Sequence, residues 1–170
     1  GNGLLVLLSG RVEVNLLSVD GRTARVCLLF PGDVFFLNAD ESDVSLDSSD
    51  FIRFAWIGEK RLISLVPGRP VLAAWMYERQ RIQLKKLLQF ARRSAFMSLR
   101  GRVASALLEE RKRQQSDRLS ISHEEVARAA GSTREVVSRM LGRMQREGVI
   151  SKARGTISIV DTGRLQTWVE

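Results

Sequence analysis

The chain has 170 residues, 44% of them hydrophobic, with 27 Lys/Arg against 19 Asp/Glu for a net charge of +8. That length accommodates one or two cores, here read as two; a single cysteine, Cys27, excludes an internal disulfide framework and suits a reducing cytoplasm; and no apolar run approaches the ~20 residues of a spanning helix, so no membrane partner is expected. One histidine, one cysteine and no recognised nucleophile-and-base or metal set argue against an enzyme.

Gly1-Asn-Gly opens straight into an apolar run with no signal-peptide pattern, so the chain is expected to start inside a domain. Short apolar runs at residues 4–8, 12–17, 26–30 and 34–37 are separated by Ser9-Gly10, Asp20-Gly21 and Pro31-Gly32. That spacing predicts an all-β meander or roll, with Asp20-Gly21 a strong hairpin turn. A further strand is predicted over residues 51–57. Between them Asp40, Glu41, Asp43, Asp47 and Asp50 crowd one segment, which is expected to be a solvated loop because it lacks the order of a calcium loop.

From residue 71 to about 99 there is neither Gly nor Pro, and a long helix is predicted. Met76 or Tyr77, Leu84, Leu87, Leu88, Ala91 and Ala95 recur along it at three- and four-residue steps. Such a stripe suits either a second helix or the β domain, and the pattern alone leaves both open. Another helix follows over roughly residues 96–113.

The charge is unevenly placed. Residues 1–70 carry seven Lys/Arg and nine Asp/Glu, whereas residues 71–170 carry twenty and ten, so a polyanion would be drawn to the second part. There, Ser122 precedes Glu125 by three residues and Ser132 precedes Glu135 by three, predicting two capping boxes, with Gly131 placed to stop the first of two short helices. Val126 and Ala130 give the first helix an inward face, Ala127 permits close approach, and Val137, Met140, Leu141 and Met144 give the second its inward stripe. Thr133, Arg134, Glu135, Ser138 and Arg139 remain on the outer face. Arginine to guanine and glutamate to cytosine are usual base pairings of a helix-turn-helix; the alternative is that Glu135 only closes its capping box and the arginines form a solvated helix face. Beyond Gly148, residues 149–151 and 156–160 flank Lys152-Ala-Arg-Gly, predicting a hairpin wing whose Lys152 and Arg154 meet phosphates.

Ser9-Gly-Arg-Val-Glu-Val, Phe30-Pro-Gly-Asp-Val and Gly131-Ser-Thr-Arg-Glu-Val-Val-Ser-Arg-Met-Leu-Gly-Arg-Met, in this order, resemble the CRP/FNR family of bacterial transcription regulators. The resemblance spans essentially the whole chain. It implies an α+β fold: a cyclic-nucleotide-binding-like β-roll sensor over residues 1–70, N-terminally incomplete, a long dimerisation helix over 71–99 and a winged helix-turn-helix over 100–170. It further implies a cytoplasmic homodimer, joined through Met76, Leu84, Leu87, Leu88, Ala91 and Ala95, on a palindromic double-stranded DNA operator, with RNA polymerase a further partner. Arg134, Glu135 and Arg139 match family positions that read TGTGA-like half-sites, and Glu135, Ser138 and Arg139 equally match those for TTGAT-like ones. Ser132, Thr133, His123, Lys152 and Arg154 are assigned to the DNA backbone. The competing reading is a dimeric effector-binding or interaction module whose basic domain binds nucleic acid non-specifically.

The sensor departs from the cyclic-nucleotide binders of the family. No Lys or Arg occurs between Arg25 and Arg53, and a buried phosphate without a cation is poorly compensated, which disfavours cyclic AMP. One cysteine disfavours an iron–sulfur cluster in this chain, and His123, at the start of the reader, is placed poorly for haem, which stays open. Cys27 is expected to pack rather than react. Phe35, Phe36, Leu37 and Trp56 are expected in the core or around an apolar effector.

Overall fold

The computed structural model describes every residue except Arg22, Ala39, Glu41 and Glu170. It divides into two compact units, residues 1–18 with 26–91, and residues 92–170 with 19–25.

The first unit is built on strands β1 (Gly3–Ser9), β2 (Val12–Leu17), β3 (Thr23–Leu29), β4 (Val34–Leu37), β5 (Val44–Asp47) and β6 (Arg53–Gly58). They form two three-stranded sheets, ordered β4-β1-β6 and β3-β2-β5. The unbroken apolar run of β1 follows from burial on both faces. Leu5 and Leu7 join Val12, Val14, Val26 and Leu29 in one core, whereas Leu4 packs with Val34 and Leu62 in another. Leu62 belongs to a short helix, α1 (Glu59–Leu65), that the sequence analysis does not predict. The expected acidic loop is corrected in part: residues 44–47 pair antiparallel with β2, and Asp47 accepts hydrogen bonds from the buried Asn15 Nδ2 at 2.7 Å and from Ser45 Oγ at 2.8 Å. Glu41 of that run lies outside the described residues.

Pro70 opens helix α2 (Pro70–Phe96), where the missing N–H of proline costs nothing. Its 27 residues extend about 40 Å, and none is fully buried. Trp75 and Met76 pack on the Leu4 core and Phe90 on the other, while Lys86 Nζ reaches Asp33 Oδ2 at 2.7 Å and the Leu28 carbonyl at 3.0 Å.

The second unit holds α3 (Leu99–Gln114), β7 (Arg118–Ser120), α4 (His123–Ala130), α5 (Arg134–Arg146), β8 (Ile150–Ala153), β9 (Thr156–Ile159) and α6 (Thr162–Thr167). Helix α2 ends at Phe96, not near 99, because Ser98 is the N-cap of α3, its side chain accepting from Gly101 N. The three-stranded sheet β7-β9-β8 closes against a core that includes Leu107, Leu119, Val126, Leu141 and Ile157. Strand β7 carries one buried residue, Leu119, which is too little apolar periodicity for a sequence reading to detect.

Candidate nucleic-acid interface and effector cleft

Helix α4 begins as the sequence predicts. Ser122 Oγ accepts from Glu125 N at 3.2 Å while Glu125 Oε2 accepts from Ser122 N at 2.8 Å, a closed capping box. It ends at Gly131, whose φ of +60° a side chain rarely adopts. There Ser132 N donates to the Ala127 carbonyl at 3.0 Å, which commits Ser132 to stopping the first helix. The second predicted capping box is therefore not formed. Thr133 takes the N-cap of α5, its side chain accepting from Val136 N at 3.4 Å. Arg102 of α3 braces the same turn by donating from Nε to the Ala130 carbonyl at 2.8 Å.

This handover leaves Glu135 out of any cap. Val137, Leu141 and Met144 are buried and Met140 is half-buried against them, which turns Arg134, Glu135 and Arg139 outward, all exposed, with Ser138 half-buried among them. None of those three exposed residues has a hydrogen-bond or ion-pair partner among the described residues. Ser132 and Thr133 are half-buried at the helix start.

The wing pairs Ala153 with Thr156 across a two-residue turn, Arg154-Gly155, with Gly155 at a φ of +70°. Arg154 is exposed at that turn and Lys152 is half-buried in β8. A notch of about 250 Å³ is walled by Ser122 and His123 of the first helix, Arg134 of the second, and Ala153 and Gly155 of the wing. The three elements thus meet on one surface. Burial holds His123 below the ordinary imidazole value, and the positive charges of Lys152 and Arg134 push the same way, so its ring favours the neutral form.

Of the residues assigned to dimerisation, Met76 turns into the β-roll core, while Leu84, Leu87 and Leu88 are 56%, 46% and 61% exposed and Ala91 and Ala95 are also exposed. Tyr77, its alternative, is exposed as well. A 27-residue helix presenting this much apolar surface wants a cover.

Inside the first unit a cleft of about 760 Å³ opens between the sheets and α2. Val14, Leu16, Val26, Phe35, Phe36 and Val44 form its sheet side, and Leu84, Leu87 and Phe90 its helix side. Phe35 and Phe36 line this cleft and also pack against the two cores of the unit. Leu37 packs into the core instead, and Trp56 lies half-exposed over Gly3 and lines no part of the cleft. Polar wall residues include Asn38, Asp43, Arg81 and Gln83, none of which the sequence reading singled out for ligand contact. Burial raises the Cys27 thiol, and Lys86 opposes this only partly, so the group stays protonated and packs. Among the described residues no cluster of His, Cys, Asp or Glu could hold a metal ion, and no helix is long and apolar enough to cross a membrane.

Residues 101–168 match the family model of the Crp-like helix-turn-helix domain. The chain is 28% identical over 177 residues to the cyclic AMP receptor protein of Thermus thermophilus, covering 98% of this chain and 79% of that one. It is likewise 28% identical over 182 residues to the CRP-like cAMP-activated global transcriptional regulator of Mycobacterium tuberculosis, covering 97% and 79%. A crystal structure assigned to the Crp/Fnr family of transcriptional regulators, from Eubacterium rectale, superposes with a TM-score of 0.83 at 29% identity, covering 99% of this chain and 83% of that one.

Proposed function

We propose that the chain is a transcription regulator of the CRP/FNR type, as the Crp-like helix-turn-helix match over residues 101–168 and the full-length likeness to such regulators support, and that it binds a palindromic operator as a homodimer, by recognition rather than catalysis. One observation carries the reading: because Thr133 caps α5, the side chains of Arg134, Glu135 and Arg139 are unspent at the end of the helix that enters a major groove. Glu135 and Arg139 jointly read a G·C pair, and Arg134 takes a second guanine or a phosphate. Ser132, Thr133, His123, Lys152 and Arg154 rest on the backbone and fix the register. The apolar face of α2 supplies the two-fold contact through Leu84, Leu87, Leu88, Ala91 and Ala95. RNA polymerase is the downstream partner, and the cytoplasm the place of action.

Cyclic AMP, for which the Thermus and Mycobacterium relatives are named, is not the effector in this proposal. Among the described residues the cleft wall holds one cation, Arg81, and its guanidinium is engaged by Glu78 through two hydrogen bonds of 2.9 and 2.8 Å, while Asp43 adds a carboxylate. The test is a fluorescence-anisotropy titration of the full chain on palindromic duplexes with TTGAT or TGTGA half-sites, against a scrambled duplex, with and without cyclic AMP. Preference for one palindrome, unmoved by the nucleotide, is the expected result. Equal, salt-sensitive binding to all three would favour the non-specific module instead, and a response to cyclic AMP would overturn the effector reading.

A further inference from the structure

We propose that α5 carries a DNA-backbone site two turns beyond its base-reading end: the bare helix surface at Gly142 admits the sugar–phosphate wall of the major groove, and the Arg146 guanidinium beside it binds a phosphate there. The proposal rests on the reading of this chain as a DNA-binding regulator and names two contact residues which that reading does not use.

A glycine inside a helix needs a reason, because it is the poorest helix former after proline. Gly142 lies within the 13-residue helix α5, four residues short of its end at Arg146. Its backbone is ordinary helix and it is not among the glycines of positive φ, so no turn requires it. Packing does not require it either. A Cβ built there would meet a single heavy atom among the described residues, Arg146 Nη1, at 3.9 Å, an ordinary contact. At Gly101 of α3, by contrast, the Trp168 carbonyl oxygen lies 2.6 Å from the corresponding point and excludes a side chain. What accounts for Gly142 is therefore a surface outside this chain.

The helix face says which surface. Gly142 follows Glu135 by seven residues, Ser138 by four and Arg139 by three, which places all four on one stripe, opposite the buried Val137, Leu141 and Met144. Seven residues carry that stripe about 10 Å along the axis, comparable with the ~12 Å width of a major groove. A helix that sets Glu135 and Arg139 on base edges thus brings Gly142 to the wall of the groove. A Cβ there would hold the wall off, and glycine lets it close on the helix backbone. Arg146, four residues further along the same stripe, is exposed and has no hydrogen-bond or ion-pair partner among the described residues. Its Nη1 lies beside Gly142, where the phosphate would come, and a guanidinium meets phosphate oxygens with paired N–H donors.

Thermal melts and anisotropy titrations of the full-length protein on the palindromic and scrambled duplexes test this. Gly142→Ala should raise the melting temperature of the second unit by roughly 2–8 °C, as removal of a helical glycine does. The same change should nevertheless weaken binding to every duplex by roughly fivefold or more, the effect of a methyl forced into a closed contact. Arg146→Gln should weaken all duplexes alike and lower the slope of log affinity against log salt by about one. In the double variant the combined loss should fall short of the product of the two, because both residues act on one stretch of backbone. A raised melting temperature with unchanged affinity in Gly142→Ala would mean that the glycine faces open water, and an unchanged salt slope in Arg146→Gln would leave that residue to the helix dipole; either result overturns the proposal. The wild-type chain keeps the two readings apart. Palindrome preference in the wild type, with both variants binding as tightly, sinks this site alone, whereas equal binding of all duplexes by the wild type, weakened by both variants, sinks the operator reading and keeps the site.

Discussion

Replacing Glu135 by alanine separates two tasks that its position would allow. If Glu135 closed a capping box with Ser132, its loss would cost α5 about 1 kcal/mol. Thr133 is the cap instead, and Glu135 is exposed and unpaired at the second helical position. What remains is a screened interaction with the helix N-terminus of about 0.3–1 kcal/mol, offset by the few tenths by which alanine is the better helix former. The net change in stability should therefore fall within about 0.5 kcal/mol, or roughly 2–4 °C for a domain of this size. On DNA the same substitution should remove discrimination at one base pair of the half-site, about 1–3 kcal/mol, or roughly fivefold to 150-fold in relative affinity. Thermal melts, together with anisotropy titrations on duplexes substituted one base pair at a time, read both quantities. A melting temperature lowered by more than about 5 °C, or a uniform loss of affinity across every duplex, would refute the reasoning.

Other outcomes follow from the same geometry. Lys152→Ala should weaken binding to all sequences alike and reduce the slope of log affinity against log salt by about one, measured between roughly 50 and 200 mM salt. His123 is held neutral by burial and by Lys152 and Arg134, so a phosphate beside it should draw a proton on binding. Operator affinity should then rise as pH falls from about 7.5 to about 6, by less than tenfold per unit, and His123→Gln should flatten that slope. The folded state alone has the opposite sign, because a depressed imidazole pKa makes the unfolded chain take up the proton first and removes stability as pH falls below the ordinary value. Leu88→Glu, at an exposed position of α2, should shift sedimentation from dimer toward monomer while leaving the melting of each unit in place. Ser122→Ala breaks a closed capping box and should cost about 1 kcal/mol, seen as a drop of roughly 4–8 °C in the second unit.

Much of this was legible in the sequence because glycine and the cap residues punctuate it. Asp20-Gly21, Pro31-Gly32, Gly131 and Arg154-Gly155 each mark a chain reversal, and β1 announces its two-sided burial by its unbroken apolar run. What was hidden had short or mixed patterns. Strand β5 offers only Val44 and Leu46 between acids, and its partner strand, where Asn15 meets Asp47, lies 32 residues earlier. The choice between Ser132 and Thr133 as cap could not be made from adjacent hydroxyl residues. It is decided by the Ser132 N–H, which is already spent on Ala127. Gln83 drew no notice because a glutamine on a charged helix reads as solvated surface, and only the opposing sheet makes a wall of it.

The turn between the reader's two helices has no spare residue. Gly131 reverses the backbone, Ser132 finishes one helix and Thr133 starts the next, so the aim of α5 is set by three consecutive residues and the brace from Arg102. Each residue added here would carry the following helix through about 100° of rotation. Arg134 would then leave the surface it shares with the wing. An insertion in this turn would therefore disturb that surface more than an exchange of side chains on α5 would.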